Sequence, residues 1–229
     1  MINVNIDSKL NIDNPICQYM RWCFFEQLLA DRLYTVTRKK YFSDPEEKNL
    51  PLKKTLPFSA FGEKSNDKQW LEYKKMADDY IECGDLPTAC WSDDIVEKEW
   101  KWRQYAGKDG VCIISSIRRL KEALSSDIYV VNCKKIKYAK YRPFYKLEEH
   151  LFSKDIMYRD DSEIRLYFTL KDLDNEIDIS NPSEEKLIKI GVDPIKMLDY
   201  VILSPFTITP EIKERYSILH NKGIAVKSH

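Results

Sequence analysis

The sequence predicts an α+β fold: a single domain with a mixed sheet and helices packed around it. Three observations carry that expectation. Strand-like and helix-like segments are interspersed without the strict alternation of a doubly wound fold. The 229 residues are enough for one large core, since a domain of this length hides roughly 70% of its unfolded surface. The stretch 90–114, CWSDDIVEKEWKWRQYAGKDGVCII, reads strand, helix, glycine turn, strand, and both of its ends are apolar enough for burial.

Residues 1–15 are polar, rich in Asn and Asp, and end at Pro15, which predicts a lead-in arm or edge strand before a domain over 16–229. Residues 16–22 have strand character, 24–32 place Phe25, Leu28 and Leu29 at helical spacing, and 33–36 are strand-like again. A turn-rich connection follows over 41–57, with 43–45 a loop because the residue before a proline leaves the helical region. Residues 65–82 read as a helix, punctuated by Gly84 and Pro87. Within the 90–114 stretch, Ser92, Asp93 and Asp94 are N-cap candidates, Asp94 with Glu97 fits a capping box, and Gly107 suits the C′ position.

Beyond it the pattern predicts helix over 117–124, a long strand over 128–138, helix over 145–157 and strand over 163–170. Residues 171–185 form an acidic hairpin loop or insertion. Strands over 186–190 and 200–203 flank a short helix from Pro194. Thr209 and Pro210 open a last helix with proline in its first turn, and 223–226 is a final short strand.

Charge and composition narrow the function classes. Lys and Arg number 37 against 37 Asp and Glu. That balance argues against a protein devoted to non-specific phosphate binding and leaves room for a local basic cleft. Six glycines argue against a glycine-rich phosphate loop, and G-x-x-x-x-G-K-[ST] is missing. Cys17, Cys23, Cys83, Cys90, Cys112 and Cys133 contain no C-x-x-C pair, and His150, His220 and His229 lie near none of them, so no metal is expected. Without a signal peptide or an apolar run of about 18 residues, the expectation is a reduced, cytoplasmic protein with no membrane partner.

Several places could carry chemistry. In a strand, Asp161, Glu163 and Arg165 share one face. Glu163 is then placed as a base or a ribose acceptor, with Arg165 holding it. The plainer reading, which the residues alone favour, is a solvated face with a cross-pair worth little. Tyr19-Met20-Arg21-Trp22 offers a guanidinium between aromatics, suited to phosphate or carboxylate. An arginine packing its stem on Trp22 is an equal alternative. Phe42-Ser43-Asp44-Pro45-Glu46-Glu47 is a loop of the kind that carries function, or simply helix-start chemistry. Gly107-Lys108-Asp109-Gly110 has G-x-x-G spacing, but a tight turn explains it better. Trp100, Trp102 and Tyr105 would serve as a stacking platform or, more commonly, as packing. Cys90 lies in an apolar strand, where inert burial is the default.

Taken in order, these pieces resemble the bacterial domain-of-unknown-function family 2971. That family opens with a Tyr-Arg-Tyr-like strand, where this chain has Tyr19-Met20-Arg21-Trp22, and continues to a Phe-Asn-Asp-Pro-x-Glu turn, here Phe42-Ser43-Asp44-Pro45-Glu46-Glu47. A Cys-Phe-Ser strand end, a Met-Trp-x-x-Tyr-Ala helix and a Gly-Val-Cys-Ile strand follow. They are matched by Cys90-Trp91-Ser92, Lys101-Trp102-Arg103-Gln104-Tyr105-Ala106 and Gly110-Val111-Cys112-Ile113. A Lys-x-x-x-Tyr segment then precedes Glu-x-Glu-x-Arg, here Lys154, Tyr158 and Asp161-x-Glu163-x-Arg165. The likeness runs over about residues 17–205, with Ser43 in place of Asn and Asp161 in place of the first Glu.

More distantly, the order Arg21, then Tyr34 or Ser43, then Glu163 is similar to that of ADP-ribosyltransferase-fold toxins. That resemblance implies a split sheet around an NAD cleft. Arg21 would grip the dinucleotide and Tyr34 or Ser43 would line the nicotinamide pocket. Glu163 would be catalytic, with Asp161 and Arg165 positioning it, and Tyr19 and Ser92 would stand at the pocket wall. It implies NAD as substrate, a nucleic acid or protein acceptor, and a role as toxin or anti-phage effector alongside other defence components. The alternative is a non-enzymatic nucleic-acid- or protein-binding module of a defence complex.

Overall fold

The structure, a computed structural model, describes residues 3–42, 86–124, 129–140, 151–170 and 187–227. The expected helix over 65–82, the Ser43 loop and the acidic stretch over 171–185 lie outside the described residues.

Among the described residues the chain is α+β. A ten-stranded mixed sheet runs β1 (Asn3–Ile6), β6 (Tyr129–Lys135), β9 (Glu163–Leu170), β4 (Pro87–Ser92), β2 (Pro15–Met20), β5 (Val111–Ser116), β11 (Tyr200–Leu203), β12 (Val226–Lys227). Off that path, β3 (Leu33–Arg38) joins β4 to β10 (Leu187–Gly191). The polar N-terminal residues supply an edge strand, parallel to β6. The unbroken apolar run Val111-Cys112-Ile113-Ile114 is a central strand between β2 and β11, buried on both faces as such a run requires.

Helices fill the connections. α1 (Trp22–Asp31) buries Trp22, Phe25, Leu28 and Leu29, the spacing expected of its inward stripe. α2 (Glu99–Lys101) continues directly into a π-turn over Trp102–Ala106. α3 (Ile117–Ala123) is capped by Ser116, whose hydroxyl accepts from the Arg119 N–H. α4 (Pro194–Met197) starts with Pro194 behind an Asp193 cap, and α5 (Thr209–Asn221) closes the fold.

Three expectations are corrected. The capping box at Asp94 does not form. Its carboxylate accepts from the Val96 N–H at 3.1 Å and pairs with Lys98 at 2.6 Å, a local turn that delays the helix to Glu99. The helix expected over 145–157 falls partly outside the described residues, at 145–150, and does not run past Leu151: the chain continues as β8 (Ser153–Asp155), parallel to β7 (Lys137–Ala139), and a 3-10 turn over Ile156–Asp161. Non-local pairing overrides propensity there. The long strand over 128–138 breaks at Ile136, whose N–H goes to the Glu163 carbonyl at 2.9 Å.

The main core lies on one face of the sheet, gathering Trp22, Phe25, Tyr34, Val36, Trp91, Ile113, Ile164, Phe168 and Val201. Two smaller clusters sit on the opposite face. One joins Cys17, Tyr19, Trp102, Ala106, Cys112 and Ile114; the other joins Ile136, Leu151, Phe152 and Tyr167. Between them, β4 forks the sheet. It pairs with β9 from Thr88 to Ser92, but on its other edge it meets β3 only at Pro87 and Thr88 and β2 only at Ser92. Gln18 spans the gap: its amide donates to the Cys90 carbonyl at 3.0 Å and accepts from the Tyr34 hydroxyl at 2.8 Å. A side chain thus satisfies a backbone group that a missing strand leaves unpaired.

Candidate functional site

Directly paired residues of neighbouring strands point to the same face of a sheet. The registers Cys17↔Ser92↔Glu163 and Cys90↔Arg165 therefore send these side chains to the face away from the main core, between the two small clusters. A cavity of ≈ 410 Å³ opens there, within the size range of small-molecule sites. β2 contributes Cys17, Gln18 and Tyr19; β3 contributes Thr35 and Thr37; β4 contributes Thr88, Cys90 and Ser92. Lys101, Gln104 and Tyr105 come from α2 and its π-turn, and Lys154, Tyr158, Asp161 and Glu163 come from the β8–β9 segment, with Phe42 at the edge.

The π-turn is what aims its residues. Trp102 is 1% exposed and packs edge-on against Tyr19, ring centroids 4.9 Å apart, which anchors the helix to β2. Gly107 ends the turn at φ 72°, and a Cβ at Gly110 would lie 2.4 Å from the carbonyl oxygens of Ala106 and Met20. The two glycines thus serve a tight turn and a close backbone approach. Arg215 on α5 donates to the Asp109 carbonyl, and its guanidinium lies 4.4 Å from the Trp22 ring centroid. The G-x-x-G reading therefore resolves as a turn held by packing.

On the β9 wall, Glu163 and Arg165 are 4% and 0% exposed, so the reading of this face as solvated is overturned. Arg165 Nε donates to Glu163 Oε1 at 2.5 Å, and its Nη1 donates to the Leu151 carbonyl at 3.1 Å and to the Tyr167 hydroxyl at 3.4 Å. Lys154 Nζ donates to Glu163 Oε2 at 3.3 Å and to Asp161 Oδ2 at 2.9 Å. Burial works against the Glu163 charge, but Arg165, Lys154 and hydrogen bonds from Arg165 and Cys90 outweigh it and hold the carboxyl down to about 2. Glu163 is therefore a fixed carboxylate near neutral pH, not a proton shuttle. Asp161 precedes the strand, in the 3-10 turn, and Ser162 between them adopts φ 47°, a left-handed conformation costly for a residue with a Cβ.

On the facing wall, Lys101 is 2% exposed. Its ammonium donates to Ser92 Oγ at 2.9 Å and to the Asp161 carbonyl at 3.5 Å, and lies 5.8 Å from the Trp100 ring centroid. Ser92 Oγ in turn donates to the Asp161 carbonyl at 2.7 Å and accepts from the Asp94 N–H at 3.2 Å.

Of the residues singled out in the sequence, Tyr19, Phe42, Cys90, Ser92, Tyr105, Asp161 and Glu163 line the cavity, Cys90 half-buried rather than sealed in the core, and Arg165 stands directly behind Glu163. Tyr34 is buried in the main core, on the face of β3 opposite Thr35 and Thr37. Arg21 is exposed at the start of α1 and is not among the lining residues. Ser43 lies outside the described residues. Sequence reasoning left Lys101, Gln104, Lys154 and Tyr158 out of the site, although all four stand within the motifs quoted for the family resemblance. Among the described residues, no group of three or more His, Cys, Asp or Glu side chains is placed to hold a metal ion, and no helix is long and apolar enough to cross a membrane.

Comparison with protein-family models, with curated proteins and with solved structures returned no match. The likeness to family 2971 rests on the quoted motifs alone.

Proposed function

We propose that the cleft at the sheet fork is the active site of an ADP-ribosyltransferase-like enzyme that consumes NAD and modifies a macromolecule, as a toxin or anti-phage effector. One observation carries the reading. Residues far apart in sequence, Tyr19, Ser92, Lys101, Tyr105, Lys154 and Glu163, surround one cavity with a carboxylate on its wall that stays ionised near neutral pH. In such a reaction the C1′–N bond of the nicotinamide riboside breaks and nicotinamide leaves with the bonding electrons. The acceptor atom bonds to C1′ and releases its proton to solvent. A fixed carboxylate beside the ribose stabilises the positive charge that develops on the ring. Tyr105, Tyr158 and Phe42 offer aromatic surface for a planar base, and the cavity suits one nucleotide half while its open side leaves room for the other. Trp100, which packs beside the lining residues Tyr105 and Lys101, is partly exposed, consistent with a large acceptor.

The test is incubation of purified protein with labelled NAD and either nucleic acid or lysate proteins, alongside Glu163→Gln. Label transfer or nicotinamide release by the wild type, with a loss of at least about 100-fold in the variant, supports the reading. Its absence from the wild type, or equal rates in both, overturns it. The binding-module reading is favoured by a different observation: both Glu163 oxygens already have cationic partners. Saturable binding of nucleic acid or protein without NAD turnover would select it.

A further inference from the structure

We infer that Lys101, with Gln104 beside it, forms a subsite for a phosphoryl group, the phosphate or diphosphate of a nucleotide. The inference takes from the proposed function only that the cleft is a ligand site.

A buried ammonium without a carboxylate costs stability, because desolvation is not offset by a counter-charge. Proteins of ordinary stability keep such a group where something else answers it. Lys101 is buried, yet no carboxylate lies within 4.0 Å of its Nζ among the described residues; its protein acceptors are a serine hydroxyl and a backbone carbonyl. An ammonium has three N–H donors, so one remains for a ligand. Across the cleft, Lys154 and Arg165 are matched by Asp161 and Glu163, and Asp94, whose charge Lys101 favours from a distance, is itself paired with Lys98, so Lys101 has no carboxylate of its own among the described residues.

The neighbours suit an oxyanion. Gln104, three residues on and on the same side of the turn, is an exposed residue of the cavity lining with an amide to offer. Thr35 Oγ1, a buried atom of a cavity-lining residue, has no hydrogen-bond partner among the described residues. The π-turn itself points the same way, since such turns in helices frequently mark functional sites.

The register separates this subsite from a rival reading. A serine–lysine pair would make Ser92 a nucleophile with Lys101 as base. The Ser92 hydroxyl proton, however, has two carbonyl acceptors, Asp161 at 2.7 Å and Asp94 at 3.3 Å, so in the Lys101 contact the lysine is the donor. That describes a cation fixed in place, not a base. Ser92 also pairs directly with Glu163 on the next strand, about 4.8 Å away. Through Ser92, the Lys101 ammonium and the Glu163 carboxylate are brought to adjacent strands of one cleft, as the phosphate and ribose of one nucleotide require.

The experiment measures binding of sodium pyrophosphate, inorganic phosphate, AMP and adenosine by calorimetry, and melting temperature by thermal shift. It uses the wild type, Lys101→Met, Gln104→Ala and, as a remote charge control, Lys121→Met on exposed α3. The wild type and Lys121→Met should bind pyrophosphate and AMP, and adenosine should bind more weakly. Lys101→Met should lose roughly tenfold or more in affinity, the equivalent of one charge-assisted hydrogen bond. Gln104→Ala should lose a few-fold without any change in melting temperature. Without ligand, Lys101→Met should melt no lower than the wild type, because methionine removes an uncompensated charge at nearly constant volume. No binding of any phosphate by the wild type overturns the inference. So does equal affinity in Lys101→Met and the wild type, or a large drop in the melting temperature of Lys101→Met, which would make the lysine a structural clasp. NAD cleavage is scored separately: phosphate binding without cleavage keeps the subsite and removes the transferase, and cleavage unaffected by Lys101→Met does the reverse.

Discussion

The two walls of the cleft hold their cations in opposite ways. On the β9 wall every buried charge has a counter-charge: Arg165 and Lys154 grip the two oxygens of Glu163, and Lys154 also reaches Asp161. On the α2 wall, Lys101 is as deeply buried but, among the described residues, meets a hydroxyl, a carbonyl and the Trp100 ring rather than a carboxylate. A complete network is a finished piece of structure. It fixes where Glu163 points and keeps it charged, and it leaves little for a ligand to change. An incomplete one keeps binding capacity in reserve. The contrast assigns the β9 wall to positioning and the α2 wall to capture.

The sharpest way to break the contrast is Arg165→Met. It removes one member of a fully buried pair and leaves Glu163 with Lys154 as its remaining cation, so a loss of about 3–5 kcal/mol is expected in denaturant unfolding. A cost below about 1 kcal/mol would show that the network is not a structural unit. A smaller effect lies in pH. Glu163 is held down to about 2 in the folded protein, against the 4.5 of an ordinary glutamate. Its contribution is therefore fully present above pH 4.5 and lost as the pH falls from there toward 2. The amount is on the order of 3 kcal/mol, read from unfolding curves across that window. In Glu163→Gln this part of the acid sensitivity should disappear. The smallest effect belongs to Arg21→Ala, an exposed side chain outside the cavity. It should leave stability within about 0.5 kcal/mol and nucleotide affinity unchanged. A large loss of affinity there would return Arg21 to the site and weaken the assignment of capture to Lys101.

What the sequence made legible was local. The strands Glu163–Leu170 and Tyr200–Leu203 carry their signal in their own residues and were read to the residue. So was the stop at Gly107, where φ 72° suits glycine. Features set by distant partners were not legible. β8 exists because Ser153–Asp155 pairs with β7, and three polar residues announce no strand by themselves. Glu163 and Arg165 share a face as their spacing implies, yet the burial that makes the pair strong comes from Leu151, Tyr167 and Phe42. Lys101 was the hardest to see. A lysine between two tryptophans reads as the polar face of a helix, and only the π-turn and the fork at β4 show that it points inward.

The central claim is that ligand enters between the β9 wall and the α2 wall. Hydrogen–deuterium exchange of the wild-type protein with and without NAD tests it directly. The account expects slowed exchange over residues 92–106, the segment running from the fork to the end of the π-turn, with little change over α5. Slowing confined to α5 and β12, or no slowing at saturating NAD, would contradict it.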